Sequence, residues 1–167
     1  MTTEPLPGTI GLTPIAGNTG RLIQLGQWLN GEGFEAWEHA FVLLPGNNIL
    51  EAEPGGARIV PLVYTRVYWC HNIRKLLGSP SDELLNATAE SLKGTPYSAL
   101  DYFALTLHRL HIPAPWLKSY IASTGHEICS QLDDDYYNRL AAHIFTDQRW
   151  PGYVTPASLY QRDRQLA

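Results

Sequence analysis

The sequence predicts an α+β fold in which a small antiparallel sheet packs against helices. Three observations lead there. Residues 38–53 read as two apolar runs joined by Pro45-Gly46-Asn47-Asn48, a turn rich in residues that tolerate the backbone angles of a hairpin. Another apolar run, Arg58-Ile-Val-Pro-Leu-Val63, follows the break at Pro54-Gly55-Gly56 and is expected to continue the sheet. Downstream, residues 81–92 and 128–142 carry apolar side chains at helical spacing. A chain of 167 residues suits one domain with a real core.

In chain order, residues 1–17 are rich in Pro, Gly and Thr and read as an extended arm or loop. A helix follows, capped by Asn18 or Thr19, with Leu22, Ile23, Leu25, Trp28 and Leu29 on its apolar stripe and Gly31 and Gly33 ending it. The strands are expected over 38–44, 48–53 and 58–63. Residues 67–77 fit either a strand or a helix. Ser81 suits a helix start, and Leu84, Leu85, Ala89 and Leu92 supply the stripe behind it. Gly94-Thr-Pro-Tyr-Ser98 turns into a helix over 99–110, stopped by Pro113 and Pro115, and a short helix is expected over 117–122. In the helix over 128–142, Ile128, Leu132, Tyr136 and Leu140 recur four apart. Residues 150–159 read as a structured loop with a short helical turn. The resulting organisation is an arm (1–17), one domain (18–160) and a tail (161–167).

Composition narrows the partners. The formal charge of −4 argues against a nucleic-acid partner held by bulk charge. No apolar stretch approaches the ~20 residues of a membrane span. The start, Met1-Thr-Thr-Glu-Pro-Leu-Pro-Gly8, has neither a basic nor an apolar leader region, so no signal peptide is expected. The two cysteines, Cys70 and Cys129, make no disulfide framework, and a single Cys70–Cys129 bridge is the plain alternative to a reactive thiol.

The chemistry gathers at Cys129 and His39. Cys129 stands about one residue into its helix, where unpaired N–H groups and the helix dipole favour a thiolate. His39 heads an apolar strand and shares a face with Phe41 and Leu43. On the returning strand Glu51 and Glu53 both have the parity to meet it, one opposite and one diagonal. A carboxylate on one ring nitrogen would fix the tautomer and raise the basicity of the other. The remaining histidines that catch the eye, His108, His111 and His126, do not make a zinc set, and Asp133-Asp134-Asp135 lacks the spacing and glycine of a calcium loop. No metal and no cofactor are expected. Asp133, one turn past Cys129, works against a thiolate unless a cation such as Arg139 offsets it.

Trp37-Glu-His39-Ala-Phe-Val-Leu-Leu44, then Ile49-Leu-Glu51-Ala-Glu-Pro-Gly-Gly, then Ile128-Cys129-Ser-Gln-Leu132 and the closing Thr155-Pro-Ala-Ser-Leu159 resemble the circularly permuted, NlpC-like branch of the papain-fold cysteine amidases and peptidases. That branch includes bacterial permuted amidases and relatives of lecithin–retinol acyltransferase. The resemblance runs from about Gly20 to Leu159. It implies a permuted papain-like fold, with Cys129 as nucleophile, His39 as base and acid, and Glu51, which precedes Ala52, as the residue that orients His39. It implies a cysteine hydrolase or acyltransferase acting on a peptide amide, of peptidoglycan type, or on another acyl substrate. A non-catalytic phage structural or partner-binding protein that keeps the same fold is the alternative, with virion or homo-oligomer partners. With no leader in view, the expected location is the cytoplasm or a phage virion.

Overall fold

A computed structural model describes residues 4–14, 36–53, 56–95, 129–147 and 154–167. The helices expected over 18–31, 99–110 and 117–122 lie outside the described residues, as do His108, His111 and His126. The chain is mixed α+β, with a five-stranded antiparallel sheet packed against helices. The strands are β1 (Ile10–Thr13), β2 (His39–Leu44), β3 (Asn48–Glu53), β4 (Gly56–Pro61) and β5 (Tyr68–Trp69). The helices are α1 (His71–Arg74), continued by a 3₁₀ turn over Lys75–Leu77, α2 (Asp82–Leu92), α3 (Cys129–Arg139) and α4 (Pro156–Gln165). Sheet order is β4-β3-β2-β1-β5, and every pairing is antiparallel. Among the described residues, no helix is long and apolar enough to cross a membrane.

The β2–β3 hairpin forms where the turn residues call for it. Gly46 and Asn47 sit at φ of 76° and 60°, the left-handed region that glycine and asparagine enter at least cost. Ser81 caps α2 by accepting from the Leu84 amide at 3.2 Å. The open segment 67–77 resolves into both alternatives in turn, a two-residue strand and then a short helix.

Two expectations at the chain ends are corrected. Residues 10–13, expected to belong to an arm, form β1, an interior strand paired with β2 on one side and β5 on the other. The four-residue run Ile10-Gly-Leu-Thr13 is too short to show a period against its Pro- and Gly-rich surroundings. Its glycine is a packing requirement: a Cβ at Gly11 would collide with the Phe41 ring and lie 2.9 Å from Trp69 Cζ3. At the other end, α4 runs through most of the expected tail. Thr155 and Ser158 form a reciprocal capping box, Pro156 takes the first helical position, and Asp163 is buried.

The sheet buries both faces. On one, Ile10, Leu12, Ala40, Val42, Leu44 and Leu50 meet Leu85 and Leu92 of α2, Leu132, Tyr136 and Tyr137 of α3, and Leu159 of α4. The two buried tyrosines keep their hydroxyls satisfied, Tyr136 donating to Leu85 O (3.1 Å) and Tyr137 to Gly8 O (2.7 Å). On the other face, Phe41, Leu43 and Ile49 pack under Val60, Leu62, Tyr64, Val67 and Trp69. The second face carries the candidate site at its β2 start.

Candidate active site

Strand parity puts His39 on the face of Phe41 and Leu43, as expected. Its ring lies 6.3 Å from Phe41 and 5.6 Å, edge-on, from Tyr64. The register pairs Phe41 with Glu51, so Glu53 is the residue one step further, level with His39, and Glu51 is the diagonal one. The diagonal residue makes the bond: His39 Nε2 lies 3.0 Å from Glu51 Oε2. Both residues are buried.

Glu51 is saturated. Arg58 donates to Oε1 through Nε at 3.0 Å and Nη2 at 2.7 Å, and Tyr64 donates its hydroxyl to Oε2 at 2.7 Å. Burial alone would push this carboxyl up. The hydrogen bonds from His39, Tyr64 and Arg58 outweigh it and bring the pKa from the ordinary 4.5 down to about 2. Burial and the bond to Glu51 push the Tyr64 hydroxyl in the opposite direction, well above its ordinary value, so it remains a donor. An ionised carboxylate only accepts hydrogen bonds. His39 Nε2 therefore carries the proton, and Nδ1 is the basic nitrogen of the neutral ring.

The ligand atoms of His39, Glu51 and Glu53 fall within 4.8 Å of one another, a spacing that could suit a cation. The donor set argues otherwise. Both Glu51 oxygens already receive N–H or O–H donors, one of them from a guanidinium, and His39 Nε2 is spent on the same carboxylate. A metal would have to displace these partners, so the cluster reads as a hydrogen-bonded network.

Cys129 is the first residue of α3; its side chain lies outside the described residues, and so does its approach to His39. The frame around it is described. The helix packs on the face opposite the His39 ring, through Leu132, Tyr136 and Tyr137. Two turns past Cys129, Tyr137 is tied to Gly8, whose amide donates to Leu43 O at the end of β2 remote from His39. At the start of α3, Ser130 Oγ donates to Val154 O at 2.6 Å, just before α4. Trp37, two residues before His39, packs against Tyr160 of α4 with ring centroids 6.4 Å apart. The start of α3 and the entry to β2 are thus both fastened to α4.

Two further residues bear on the thiol. Cys70 is a free, buried thiol, so the Cys70–Cys129 bridge is not formed. Arg139, the cation expected near Asp133, makes its hydrogen bonds elsewhere: its Nε donates to Asp135 at 3.2 Å and its Nη1 to Ser91 Oγ at 3.0 Å. Asp133 itself is completely buried in α3.

Sequence reading missed Arg58 and Tyr64. Arg58 had a signal, because a hairpin turning about Pro54 and Gly55 sets Arg58 directly opposite Glu51, the register observed. Tyr64 had none, since it arrives from an irregular segment beyond β4. Compared with protein-family models, curated proteins and solved structures, the chain matches none.

Proposed function

We propose that the protein is a cysteine hydrolase of permuted papain-like type, with Cys129 as nucleophile, His39 as base and acid, and Glu51 as the residue that orients His39. The substrate class is a peptide amide, of peptidoglycan type, or another acyl compound. The observation that carries this reading is the 3.0 Å bond from His39 Nε2 to a buried, ionised Glu51. In this reading Nδ1 is the nitrogen that exchanges protons, and β2, which presents the ring, lies against the helix that Cys129 opens.

In this mechanism Nδ1 takes the thiol proton and the thiolate attacks the carbonyl carbon. The carbon–nitrogen bond then breaks, and His39 returns the proton to the departing amine. Water or another amine attacks the thioester carbon and passes its proton to Nδ1; the carbon–sulfur bond breaks, and the departing thiolate takes the proton back from His39. The backbone N–H at the start of α3 would donate to the oxyanion.

The test is alkylation of the native protein with iodoacetamide across pH, with the modified cysteine mapped. Cys70 is an internal control, because burial, with the charges of Asp163 and Asp133 behind it, pushes its thiol up. Selective labelling of Cys129 below about pH 7, lost in His39→Ala, is the expected result. Labelling only near pH ~8.5, or none before denaturation, overturns the activated thiol. That outcome favours a non-catalytic, partner-binding protein on the same fold, the reading to which the buried Asp133 one turn after Cys129 lends weight.

A further inference from the structure

Glu51 joins two basic groups of different kinds. Oε2 faces the imidazole of His39 and Oε1 faces the guanidinium of Arg58. Were the carboxylate alone with the ring, protonating His39 would turn a buried lone anion into a neutral ion pair, and burial would favour the imidazolium strongly. With Arg58 in place the anion is already neutralised. Protonating His39 then leaves the three groups with a net positive charge. Tyr64 works in the same direction without a charge, since its hydroxyl occupies the same oxygen that His39 uses.

We propose that Arg58 is a positioning residue that sets the pH at which His39 becomes a base, acting through Glu51. The inference rests on the reading of His39 as the base. Arg58 is suited to it by place. It stands in register with Glu51 on β4, an edge strand, and grips one carboxylate oxygen with two nitrogens of a planar fork that keeps its proton at any working pH. Its side chain is half exposed (52%), so solvent screens part of its field.

Charged and titratable groups come to His39 from several elements. Glu51 and Glu53 come from β3, Arg58 from β4 and Tyr64 from the segment after it. On β1 the register partner is Thr13, which does not titrate and donates its hydroxyl to Arg66 O. Glu38 precedes His39 on the same chain, and α3 brings Asp133 to the opposite face. Of these, Arg58 is the cation bonded to the carboxylate that holds the ring.

The experiment follows the ring nitrogens of His39 by long-range ¹H–¹⁵N NMR through a pH titration, assigned with His39→Gln. In Arg58→Gln the midpoint should rise by about half a unit to one unit, at or below the low end of the range for a nearby charge because solvent screens the half-exposed Arg58. In Arg58→Lys, which keeps the charge without the fork, it should stay within a few tenths of the parent. A midpoint that stays put or falls in Arg58→Gln overturns the proposal; Arg58→Met is the second variant should glutamine not fold. The titrations are repeated in Cys129→Ser. A shift there shows Arg58 acting on His39 whether or not Cys129 is a nucleophile. The onset of iodoacetamide labelling moves up with the midpoint only if both readings hold.

Discussion

Glu51 and Asp163 are two buried carboxylates with different employment. Both accept a tyrosine hydroxyl, Glu51 from Tyr64 at 2.7 Å and Asp163 from Tyr68 at 2.9 Å. Beyond that they diverge. Asp163 accepts the backbone amides of Asn72 (2.8 Å) and Ile73 (2.9 Å), and so closes the exposed N–H groups that open α1. Its own backbone carbonyl takes the Asn72 side chain at 3.1 Å. Glu51 has only side-chain donors, and one of them is an imidazole. Backbone amides do not titrate, so Asp163 can only hold α1 and β5 to α4. A carboxylate bonded to an imidazole can pass its influence to a proton. The burial is alike; the partners separate architecture from chemistry.

The largest expected effect breaks the architectural half. Asp163→Ala removes the acceptor of two backbone amides and one hydroxyl. At about 1–3 kcal/mol for each buried donor left unsatisfied, and with some relief from water, the loss should be about 3–5 kcal/mol. Denaturant unfolding measures it. A loss under about 1 kcal/mol would mean that Asp163 does not bind α1 to α4 as described.

Next comes acid, which sharpens the Glu51 half. Its carboxyl is held at about 2 against an ordinary 4.5. A lowered folded value means the unfolded chain binds more protons in that window, so stability rises with pH there. The contribution is complete above about pH 4.5 and is lost as pH falls through about 2, to a limit of about 3 kcal/mol. Glu51→Gln should weaken the fold by about 2 kcal/mol at neutral pH, because an amide cannot accept from all four donors. It should also flatten stability against pH between 4.5 and 2. If the slope survives the substitution, another carboxylate carries it.

The two carboxylates were not equally legible in the sequence. Glu51 could be found because a hairpin with strong turn residues fixes strand parity, and parity fixes which side chains share a face. The choice between Glu51 and Glu53 could not be made from parity, because both satisfy it; the diagonal offset chose. Asp163 was invisible. It sits in a polar run, Gln161-Arg-Asp-Arg-Gln165, that reads as solvated, and its partners lie some 90 residues upstream. β1 was missed for a related reason: a four-residue strand carries no period, and the meaning of its glycine depends on rings 30 and 58 residues away (Phe41 and Trp69). Local signals reach as far as a turn or a helix stripe. Contacts made by tertiary packing have no such signal.

A smaller effect probes the floor beneath the site. In Gly11→Ala the new methyl meets Phe41 and Trp69, the rings beside Tyr64 and His39. Overpacking of this kind costs about 1–3 kcal/mol. Because Phe41 stacks on Tyr64 with centroids 5.1 Å apart, the His39 ring resonances should move as well. In Asp163→Ala they should hold still while the fold remains intact. Movement in both variants would mean the two carboxylates are coupled rather than separate.

The smallest effect tests how far α4 serves both halves. Thr155 caps α4 by accepting the Ser158 amide at 3.0 Å, while Ser158 Oγ accepts the Thr155 amide at 2.8 Å. Thr155→Ala removes one side of this box and should cost about 1 kcal/mol. The cap lies one residue from Val154, whose carbonyl holds Ser130 at the start of α3, and two turns from Asp163. Fraying there should speed hydrogen exchange in the first turns of α3 and α4 while leaving the Asn72 and Ile73 amides protected. If those two amides exchange faster as well, α4 responds as one rigid piece, and the division between the end that serves the site and the end that holds α1 fails.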